Sequence, residues 1–492
     1  MPTAMQQQGL RDLFVHWAGV APEQTLAIGA QGSSRRYFRL VAPDGRSAVG
    51  CVGDDLRENL AFFDLDRHLL ARGVRVPEIY AISPDNRLYL QQDLGDTSLY
   101  NLLHEKQRTG AGFDAYMLQL YRQSLADLAV IQQVGADFDF SHAYPRPDFD
   151  RQSILWDLNY FKYHFLKLTD TPFDEQLLEN DFHSLADLLL TADTHYLLYR
   201  DFQARNIMVS PTQPAVPSHV SQIATHSLPT LYYIDFQGAR RGAAQYDVAS
   251  LLYSAKSNLP EAIRRDLVGY YLDARSITGQ QRTVWLNHFH AYLLARILQT
   301  LGAYGFRGIV QRKEYFRQSI PLALQNLRRL LDEQPILFQR IPHLRGILAS
   351  LVEKEETQSQ TSDLTLTVSV LSFSYKQGLP IDPSGNGGGF IFDCRALPNP
   401  GREIQYRAYT GKDRPVIDFL RQQPPVDEFL SNVKNLVAQS VDKYISRRFT
   451  SLQVAFGCTG GQHRSVYCAE QVAHWLSQTW PDIRVVISHR EQ

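Results

Sequence analysis

Several residue types and patterns are scarce in this sequence, and each scarcity excludes a class of protein. Only four cysteines occur in 492 residues, and none form a CxxC pair, which excludes a disulfide framework and a cysteine-rich zinc site. No run of 18 apolar residues is present, so no membrane-spanning helix and no membrane partner are predicted. The first residues lack a basic stretch followed by an apolar one, so no signal peptide is predicted and a cytoplasmic location is expected.

An excess of charge of one sign is also lacking. The 50 lysines and arginines nearly balance the 51 aspartates and glutamates, and the formal net charge is −1. This balance argues against a dominant nucleic-acid footprint over the chain as a whole. The hydrophobic fraction of 44% is ordinary for a globular protein. The length favours about two to four domains.

Changes in composition divide the chain and predict its organisation. Residues 210–230 are rich in Pro, Ser and Thr and predict a loop, residues 353–363 are polar and predict a linker, and residues 384–389 (SGNGGG) predict a loop tip. Strand-like segments dominate up to about residue 92, helical periodicity dominates afterwards, and strands and helices alternate after the linker. These patterns predict an α+β region with a small β-rich lobe and a larger helical lobe, followed by a smaller α/β domain. The predicted divisions are 1–335 (lobes 1–92 and 96–335), a linker over 336–362, and 363–492.

One pair of motifs in the first region indicates phosphoryl transfer. Residues 199–206 read YRDFQARN, and residues 233–237, after the predicted loop, read YIDFQ. An Asp followed five positions later by Asn, and then an Asp at the end of a strand, is typical of kinases. Asp201 can accept the proton of an acceptor hydroxyl, while Asn206 and Asp235 offer the oxygen ligands that Mg²⁺ prefers. Taken singly, these residues are also typical of turns and caps.

The same segments resemble a known family. LYRDFQARNIMV and YYIDFQGARRGAAQYDVASLLY are similar to the aminoglycoside/choline phosphotransferase superfamily, over about residues 10–335. GSSRRYFRL, ENLAFF and QQDLGD most resemble the anomeric kinases of N-acetylmuramate and N-acetylglucosamine. The resemblance implies a bilobal, protein-kinase-like fold, ATP and Mg²⁺, and a small-molecule hydroxyl, such as that of a sugar, as the acceptor.

The resemblance also implies roles for individual residues. Asp201 matches the catalytic base, and Asn206 and Asp235 match the metal ligands. Two further groups match nucleotide-binding positions. The hinge beside adenine corresponds to Gln91, Gln92, Asp93 and Leu94, and the loop over the phosphates to Gly29, Gly32, Ser33 and Ser34. Asp247 matches a carboxylate at a helix start for which we expect a structural role.

Lysine is absent from the first 105 residues, and this departs from the kinase pattern. The first lysine is Lys106, whereas kinases place a strand lysine on the α/β-phosphates, near Val49-Gly50-Cys51 of this chain. Three explanations stay open at this point. An arginine substitutes (Arg35, Arg36, Arg39 or Arg46), Mg²⁺ and backbone groups suffice, or the kinase is impaired.

A second motif, near the end of the chain, predicts an anion site. Residues 454–468 (VAFGCTGGQHRSVYC) read as a strand, a glycine-rich loop and a helix start, where backbone N–H groups and the helix dipole favour a negative ligand. The spacing of Cys458 and Arg464 matches the Cys-x5-Arg-Ser pattern of cysteine phosphatases. Together with FIFDCRALPNP and TGKDRPV, however, the motif resembles the C-terminal domain of the RNase adapter protein RapZ across about residues 363–492.

That resemblance implies a pocket for glucosamine-6-phosphate and, in the adapter, binding of a small regulatory RNA. The matching pocket residues are Thr459, Gly460, Gln462, His463, Arg464 and Ser465. Two departures favour a small-molecule sensor over an RNA binder. Gly401 stands where the family has a ligand-side histidine, and residues 363–492 carry 14 Lys+Arg against 12 Asp+Glu, too little positive charge for tight RNA binding.

The sequence therefore predicts an ATP- and Mg²⁺-dependent kinase of an amino sugar, such as N-acetylmuramate or N-acetylglucosamine, fused to an amino-sugar-phosphate sensing domain. The alternative is a non-catalytic, nucleotide-binding adapter or sensor that recruits RNA or protein through its C-terminal domain. The oligomeric state is left open by the sequence.

Overall fold

The computed structural model describes residues 3–29, 35–110, 112–210, 229–361, 366–382, 389–447 and 449–491. Most of the predicted 210–230 and 384–389 loops, together with Gly32, Ser33 and Ser34, lie outside the described residues. The chain divides into two compact units. The first ends at Val352, and the second comprises Arg307–Gln318 and the residues from Glu353 onward.

The small lobe of the first unit is a five-stranded antiparallel sheet with the order β1-β2-β3-β5-β4. Its strands are β1 (Gln24–Ile28), β2 (Arg36–Val41), β3 (Ser47–Val52), β4 (Ile79–Ile82) and β5 (Leu88–Gln92). Two helices accompany the sheet, α1 (Ala4–Ala18) and α2 (Leu56–Leu70). The tight turn between β2 and β3 contains Gly45 at φ 87°, a backbone angle that favours glycine.

The two faces of this sheet pack against different helices, because successive side chains of a strand point to opposite faces. On one face, Leu40 and Leu90 share a small core with Phe14 of α1. On the other face, the ring of Tyr89 lies 5.3 Å from the ring of Phe62 on α2. The second face belongs to the main core of the unit, which also contains Phe236, the residue after Asp235.

The large lobe is built mainly from helices. The helices between the small-lobe sheet and the second unit's sheet are α3 (Leu99–Arg108), α4 (Ala115–Val134), α5 (Arg151–His164), α6 (Glu175–Leu189), α7 (Gln245–Leu252), α8 (Glu261–Ala274), α9 (Gly279–Tyr304), α10 (Glu314–Arg317), α11 (Ile320–Glu333), α12 (Pro335–Phe338) and α13 (Pro342–Thr361). Aspartate side chains accept a backbone N–H at the start of α4, α5 and α6, which explains where these helices begin.

Two short antiparallel strand pairs interrupt the helices of the large lobe. β6 (Tyr196–Leu198) pairs with β9 (Arg240–Gly242), and β7 (Ile207–Ser210) pairs with β8 (Thr230–Tyr233). Leu198, Ile207 and Leu231 are fully buried, so these strands anchor the connecting loops in the core. The loops that leave β6 and β8 carry the predicted phosphoryl-transfer residues.

The segment predicted as a linker, 336–362, is largely helical. α12 and the first half of α13 contribute Phe338, Leu344 and Leu348 to the core of the first unit. The polar residues after Val352 continue α13 as far as Thr361. The residues predicted as a linker therefore lie largely in helices, because a helix that is anchored at one end can continue through polar positions.

The second unit contains a four-stranded parallel sheet with the order β11-β12-β10-β13. Its strands are β10 (Thr367–Ser374), β11 (Gly389–Asp393), β12 (Ser451–Cys458) and β13 (Arg484–His489). Its helices are α14 (Arg414–Arg421), α15 (Pro424–Ser446) and α16 (Arg464–Thr479). Val454 and Phe456 of the central strand β12 pack with Val437 of α15 and Leu476 of α16.

The predicted fold class is confirmed. The first unit combines an antiparallel sheet lobe with a helical lobe, and the second is a smaller unit in which helices accompany a parallel sheet. In the part of the chain that the structure describes, no helix is both long and apolar enough to cross a membrane.

Candidate functional site

Asp201, Asn206 and Asp235 lie close together at the ends of the short strand pairs. Asp201 follows β6, Asn206 ends a single 3-10 turn before β7, and Asp235 follows β8. The Asn206 Nδ2 donates to Asp235 Oδ2 at 3.0 Å and to the main-chain oxygen of Asp201 at 2.9 Å. The structure therefore brings together the three residues that the sequence assigns to one site.

The backbone of this site adopts an unusual conformation at two positions. Arg200 has φ 80° and Asp235 has φ 70°, which residues other than glycine rarely adopt and which concentrate at functional sites. The guanidinium of Arg200 forms two hydrogen bonds with the Asp157 carboxylate on α5, at 2.6 and 2.7 Å. This paired contact fixes the residue that immediately precedes Asp201.

Asp247 on α7 fixes the backbone of the two residues that precede Asp201. Its fully buried carboxylate accepts the backbone N–H groups of Tyr199 at 2.8 Å and of Arg200 at 2.9 Å. Burial raises the pKa of Asp247 to about 7, and the two backbone N–H groups and Gln132 oppose that rise. The contacts match the structural role expected for Asp247.

Tyr199 connects the loop that carries Asp201 with the loop that carries Asp235. Its hydroxyl donates to the carbonyl oxygen of Ile234 at 2.7 Å, immediately before Asp235. The ring is buried between Phe202 and Phe236, with centroid separations of 5.2 and 6.2 Å. The tyrosine therefore positions the loop that carries Asp235.

The two carboxylates of the site have opposite electrostatic environments. Burial alone would raise the pKa of Asp201, but the positive charges of Arg296, Arg200 and Arg205 outweigh it and hold that pKa below its ordinary value. Burial raises the pKa of Asp235 to about 6, and the negative charge of Asp201 adds to the rise. Asp201 therefore stays deprotonated. The positive charge near Asp235 is too small to offset the effect of burial and of Asp201 on its pKa.

Arg296 is a site residue that the sequence reasoning missed. It lies on α9, 95 positions after Asp201, and its Nη2 is 3.4 Å from Asp201 Oδ1. Its Nη1 is held by the Tyr246 hydroxyl at 3.2 Å and by Gln299 Oε1 at 2.7 Å. A single arginine within the apolar run AYLLARIL was the available sign of a buried role.

Among the described residues of the predicted nucleotide-binding set, Gly29 and the hinge residues lie at opposite ends of the small-lobe strands, as the strand registers show. Gln91 and Gln92 close strand β5, between β3 and β4. Asp93 follows them, and Arg39 clamps its carboxylate through hydrogen bonds of 2.8 and 3.0 Å. Leu94 follows in the loop after β5, and Gly29 ends the described segment after β1, where a Cβ atom would contact none of the described residues.

In the second unit, the predicted anion loop lies at the carboxyl ends of the parallel strands. It leaves β12 at Cys458 and enters α16 at Arg464. The hydroxyl of Ser374, at the end of β10, donates to the carbonyl oxygen of Thr459 at 2.8 Å. The carboxyl ends of adjacent parallel strands are the usual position of ligand sites in open α/β sheets.

Two of the predicted ligand side chains in this loop bind a neighbouring segment of the chain. Gln462 Nε2 donates to the carbonyl oxygens of Arg407 and Tyr409, at 3.0 and 2.8 Å. The His463 ring lies 3.1 Å from the carbonyl oxygen of Tyr406.

Arg464 is buried in a similar way. Its Nη1 donates to the carbonyl oxygens of Arg395 and Leu397, at 2.7 and 3.0 Å. These contacts fix the segment 395–409 over the loop. Thr459 and Gly460 are exposed, and Gln462 and His463 are partly exposed, so these four predicted ligand residues remain accessible.

Ser465 and Cys458 face each other beneath the loop. The Cys458 Sγ is 3.1 Å from the Ser465 hydroxyl. Burial would raise the pKa of Cys458, but the hydroxyl of Ser465 and the backbone N–H groups of Ser465, Gly461 and Gly460 hold it below its ordinary value. The loop thus directs several donors toward a negative group, as an anion site requires.

A carboxylate of the chain itself lies beside this loop. A Cβ atom at Gly461, whose φ is 70°, would lie 2.5 Å from Glu491 Oε2. Both carboxylate oxygens of Glu491 are shielded from solvent and have no hydrogen-bond partner among the described residues. A negative side chain therefore lies next to the donors of the loop.

Comparison with known proteins identifies the second unit. The family model of the RapZ C-terminal domain matches residues 366–492. A nucleotide-binding protein of Ralstonia nicotianae is 40% identical over 210 residues, which cover 37% of this chain and 68% of the relative. The second unit is thus a RapZ C-terminal domain, and the chain belongs to the family of nucleotide-binding proteins that carry it.

Further matches differ in extent. A nucleotide-binding protein of Delftia acidovorans is 39% identical over 141 residues, and this chain covers 45% of its length. Among solved structures, a choline/ethanolamine kinase family protein from Mesorhizobium loti is similar with a TM-score of 0.44 and 13% identity. That similarity covers 69% of this chain and 99% of the other.

Proposed function

We propose that the first unit is an ATP- and Mg²⁺-dependent phosphotransferase that acts on a hydroxyl of a small molecule, an amino sugar such as N-acetylmuramate or N-acetylglucosamine. The observation that carries this proposal is the arrangement of Asp201, Asn206 and Asp235. An anionic carboxylate and two oxygen-bearing side chains lie within one hydrogen-bonded cluster on a constrained loop. Phosphoryl transfer requires mainly positioning and charge stabilisation, and this cluster offers both.

The anionic state of Asp201 suits the role of a base. Its carboxylate would accept the proton of the acceptor hydroxyl as the hydroxyl oxygen bonds to the γ-phosphorus and the bond to the β-phosphate oxygen breaks. The products are ADP and the phosphorylated acceptor. Arg296, at 3.4 Å, and the Gln203 amide, at 3.2 Å, keep the Asp201 carboxylate oriented.

The residues present fit a divalent cation. Asp235 provides a carboxylate and Asn206 an amide oxygen, and hard cations such as Mg²⁺ take oxygen ligands. The raised pKa of Asp235 reflects burial and the charge of Asp201, so the pair lacks positive charge that a cation would supply. When bound, the cation would neutralise charge on the β- and γ-phosphates.

The choice of an amino sugar rests on two lines of support. The sequence segments GSSRRYFRL, ENLAFF and QQDLGD resemble those of anomeric amino-sugar kinases. The second unit is a RapZ C-terminal domain, and the resemblance noted from its loop motif implies an amino-sugar-phosphate ligand. A kinase that makes a sugar phosphate and a domain that senses one would form a coherent pair.

For the second unit we infer binding of an amino-sugar phosphate at the loop from Thr459 to Ser465. The backbone N–H groups of Gly460 and Gly461 and the start of α16 favour a phosphate. Catalysis of phosphate-ester cleavage is less well supported, because Arg464 Nη1 is engaged by two carbonyl oxygens. A cysteine phosphatase would need this guanidinium to hold the phosphoryl group.

Release of ADP from ATP tests the kinase proposal. We expect Mg²⁺-dependent ADP release that requires an added acceptor when N-acetylmuramate, N-acetylglucosamine, choline and an aminoglycoside are tested separately. The fastest acceptor identifies the substrate class, and Asp201→Ala should remove the acceptor-dependent rate. ATP binding without turnover on any acceptor would favour the alternative of a nucleotide-binding adapter.

A further inference from the structure

The small lobe lacks a lysine for the nucleotide phosphates, and the structure distinguishes among the four arginines available. In kinases a strand lysine contacts the α/β-phosphates and pairs with a glutamate of the following helix. Here Cys51 of β3 is fully buried near the expected position of that lysine. A replacement cation must lie on the same face of the sheet and have an acidic partner on α2.

Three of the four arginines do not meet these conditions. Arg39 is held by Asp93 and Asp96, at 2.8 and 2.9 Å, near the hinge. Arg46 pairs with Asp44 in the exposed turn between β2 and β3. Arg36 pairs with Asp54 and contacts Gln6 of α1.

The side of the sheet also excludes Arg36. α1 packs on the face opposite to α2. The alternation of side chains along β2 places Arg36 on the α1 face, and it places Tyr37 on the face of Cys51, its register partner.

Arg35 meets both conditions. It immediately precedes β2, its side chain is 2% exposed, and its Nη2 lies 3.7 Å from the Glu58 carboxylate in the first turn of α2. The same nitrogen donates to the Glu58 carbonyl oxygen at 3.1 Å. Its guanidinium lies over the ring of Phe62, 5.4 Å from the centroid.

A chain of packed groups connects Arg35 to the candidate metal site. The Phe62 ring, beneath the guanidinium, stacks on the ring of Phe236 with centroids 5.0 Å apart. Phe236 directly follows Asp235 in the sequence. The guanidinium therefore lies on the side of the sheet that faces the phosphoryl-transfer residues.

We propose that Arg35 binds the α/β-phosphates of the nucleotide in place of the missing strand lysine, with Glu58 as its positioning partner. The cation has moved from β3 to the start of the adjacent strand β2, while its pairing with the first turn of the following helix is kept. This assignment rests on the proposed phosphotransferase function. Of the three explanations left open for the missing lysine, it selects substitution by an arginine and names Arg35 as that arginine.

Calorimetric titration of the full-length chain with MgATP, MgADP and adenosine tests the assignment. Arg35→Met should weaken ATP and ADP binding roughly tenfold or more, because a charged contact to phosphate is lost, while leaving adenosine affinity unchanged. Arg35→Lys should recover part of the loss. Arg36→Met is the matched control, since it removes an adjacent arginine on the opposite face, and it should bind all three ligands as the wild type does.

The ratio of ATP to adenosine affinity guards against a folding defect, since partial unfolding lowers the apparent affinity for both ligands alike. If Arg35→Met does not fold, Arg35→Gln is measured instead, because its amide can still donate to Glu58. A wild-type ratio in the folded variant overturns the role of Arg35 and leaves the phosphotransferase proposal standing. A wild-type protein that binds neither ATP nor ADP overturns both.

Glu58→Gln provides a separate test of the positioning role. Without its carboxylate partner, the Arg35 guanidinium should still contact the phosphates but orient them less precisely. The kcat should therefore fall, while the KM for ATP changes little. A purely structural role of Glu58 would lower the melting temperature without this split. An unchanged kcat in a folded Glu58→Gln protein would contradict the positioning role.

Discussion

Asp201 carries a partly exposed carboxylate that stays anionic, because the positive charges of Arg296, Arg200 and Arg205 hold its pKa below the ordinary value. Replacement by asparagine keeps the size of the side chain and removes the base. We expect Asp201→Asn to lower acceptor phosphorylation by roughly 10²- to 10⁴-fold, the usual contribution of a general base. ATP affinity, measured by calorimetry, should change little. Asp193→Asn, which alters an exposed carboxylate before β6, is the control and should keep the wild-type rate.

Asp247 affects the same loop through the backbone. Asp247→Ala would leave the buried N–H groups of Tyr199 and Arg200 without their acceptor, at a cost of roughly 1–3 kcal/mol for each. The expected result is a lower melting temperature together with a lower kcat. Asp266→Ala, which removes only a surface pair with Arg122, should cost about 1 kcal/mol or less. Equal melting temperatures for the two variants would contradict the loop-anchoring role.

At the scale of one element, the burial of Asp66 on α2 makes the free energy of unfolding depend on pH. Burial raises the pKa of Asp66 to about 7, and its Oδ1 has no hydrogen-bond partner among the described residues. In the unfolded chain the group ionises near pH 3.8, so between that pH and about 7 only the folded state holds the proton. The free energy of unfolding should therefore fall as the pH rises through this range.

Asp66→Asn should remove this dependence. The variant should gain stability relative to the wild type as the pH rises from about 4 to 7, by an amount on the order of a few kcal/mol. Thermal melts of both proteins across this range measure the difference. A difference that is constant with pH would show that Asp66 is not buried as a neutral acid.

The elements differed in how well the sequence predicts them. In the second unit, the sequence predicts that strands and helices alternate, and the structure has this alternation, because the two periodicities are strong there. The extension of α13 over 353–361 was missed, since its polar residues carry no periodicity and the anchor that starts the helix lies upstream.

The candidate site was predictable only in part. The spacing of Asp201, Asn206 and Asp235 marks local strand ends and loops, and such local patterns are visible in a sequence. Arg296 and Asp157 reach the site through tertiary packing of α9 and α5, so their contact partners lie far away in the sequence. The orientation of Arg464 toward the carbonyl oxygens of Arg395 and Leu397 is also set by packing, so the motif alone does not indicate that its Nη1 binds the chain itself.

At the scale of the whole molecule, Glu491 should compete with the ligand of the RapZ C-terminal domain. Its carboxylate lies beside Gly461, where a phosphate would approach the loop donors. Removing this negative charge in Glu491→Gln should raise the affinity for glucosamine-6-phosphate about tenfold in calorimetric titrations, because like-charge repulsion at short range is lost. Glu403→Gln, at an exposed position in the same unit, should leave the affinity unchanged. Weaker binding by Glu491→Gln would indicate instead that Glu491 helps to hold the sugar.

The two units together describe a kinase of an amino sugar joined to a sensor of an amino-sugar phosphate. The most direct test is to identify the products formed from MgATP and N-acetylmuramate or N-acetylglucosamine by ³¹P NMR and mass spectrometry. We expect one phosphorylated sugar for each ADP, with no product from Asp201→Asn. ATP that is bound but left intact, with no phosphorylated sugar, would contradict catalysis and leave a nucleotide-binding sensor.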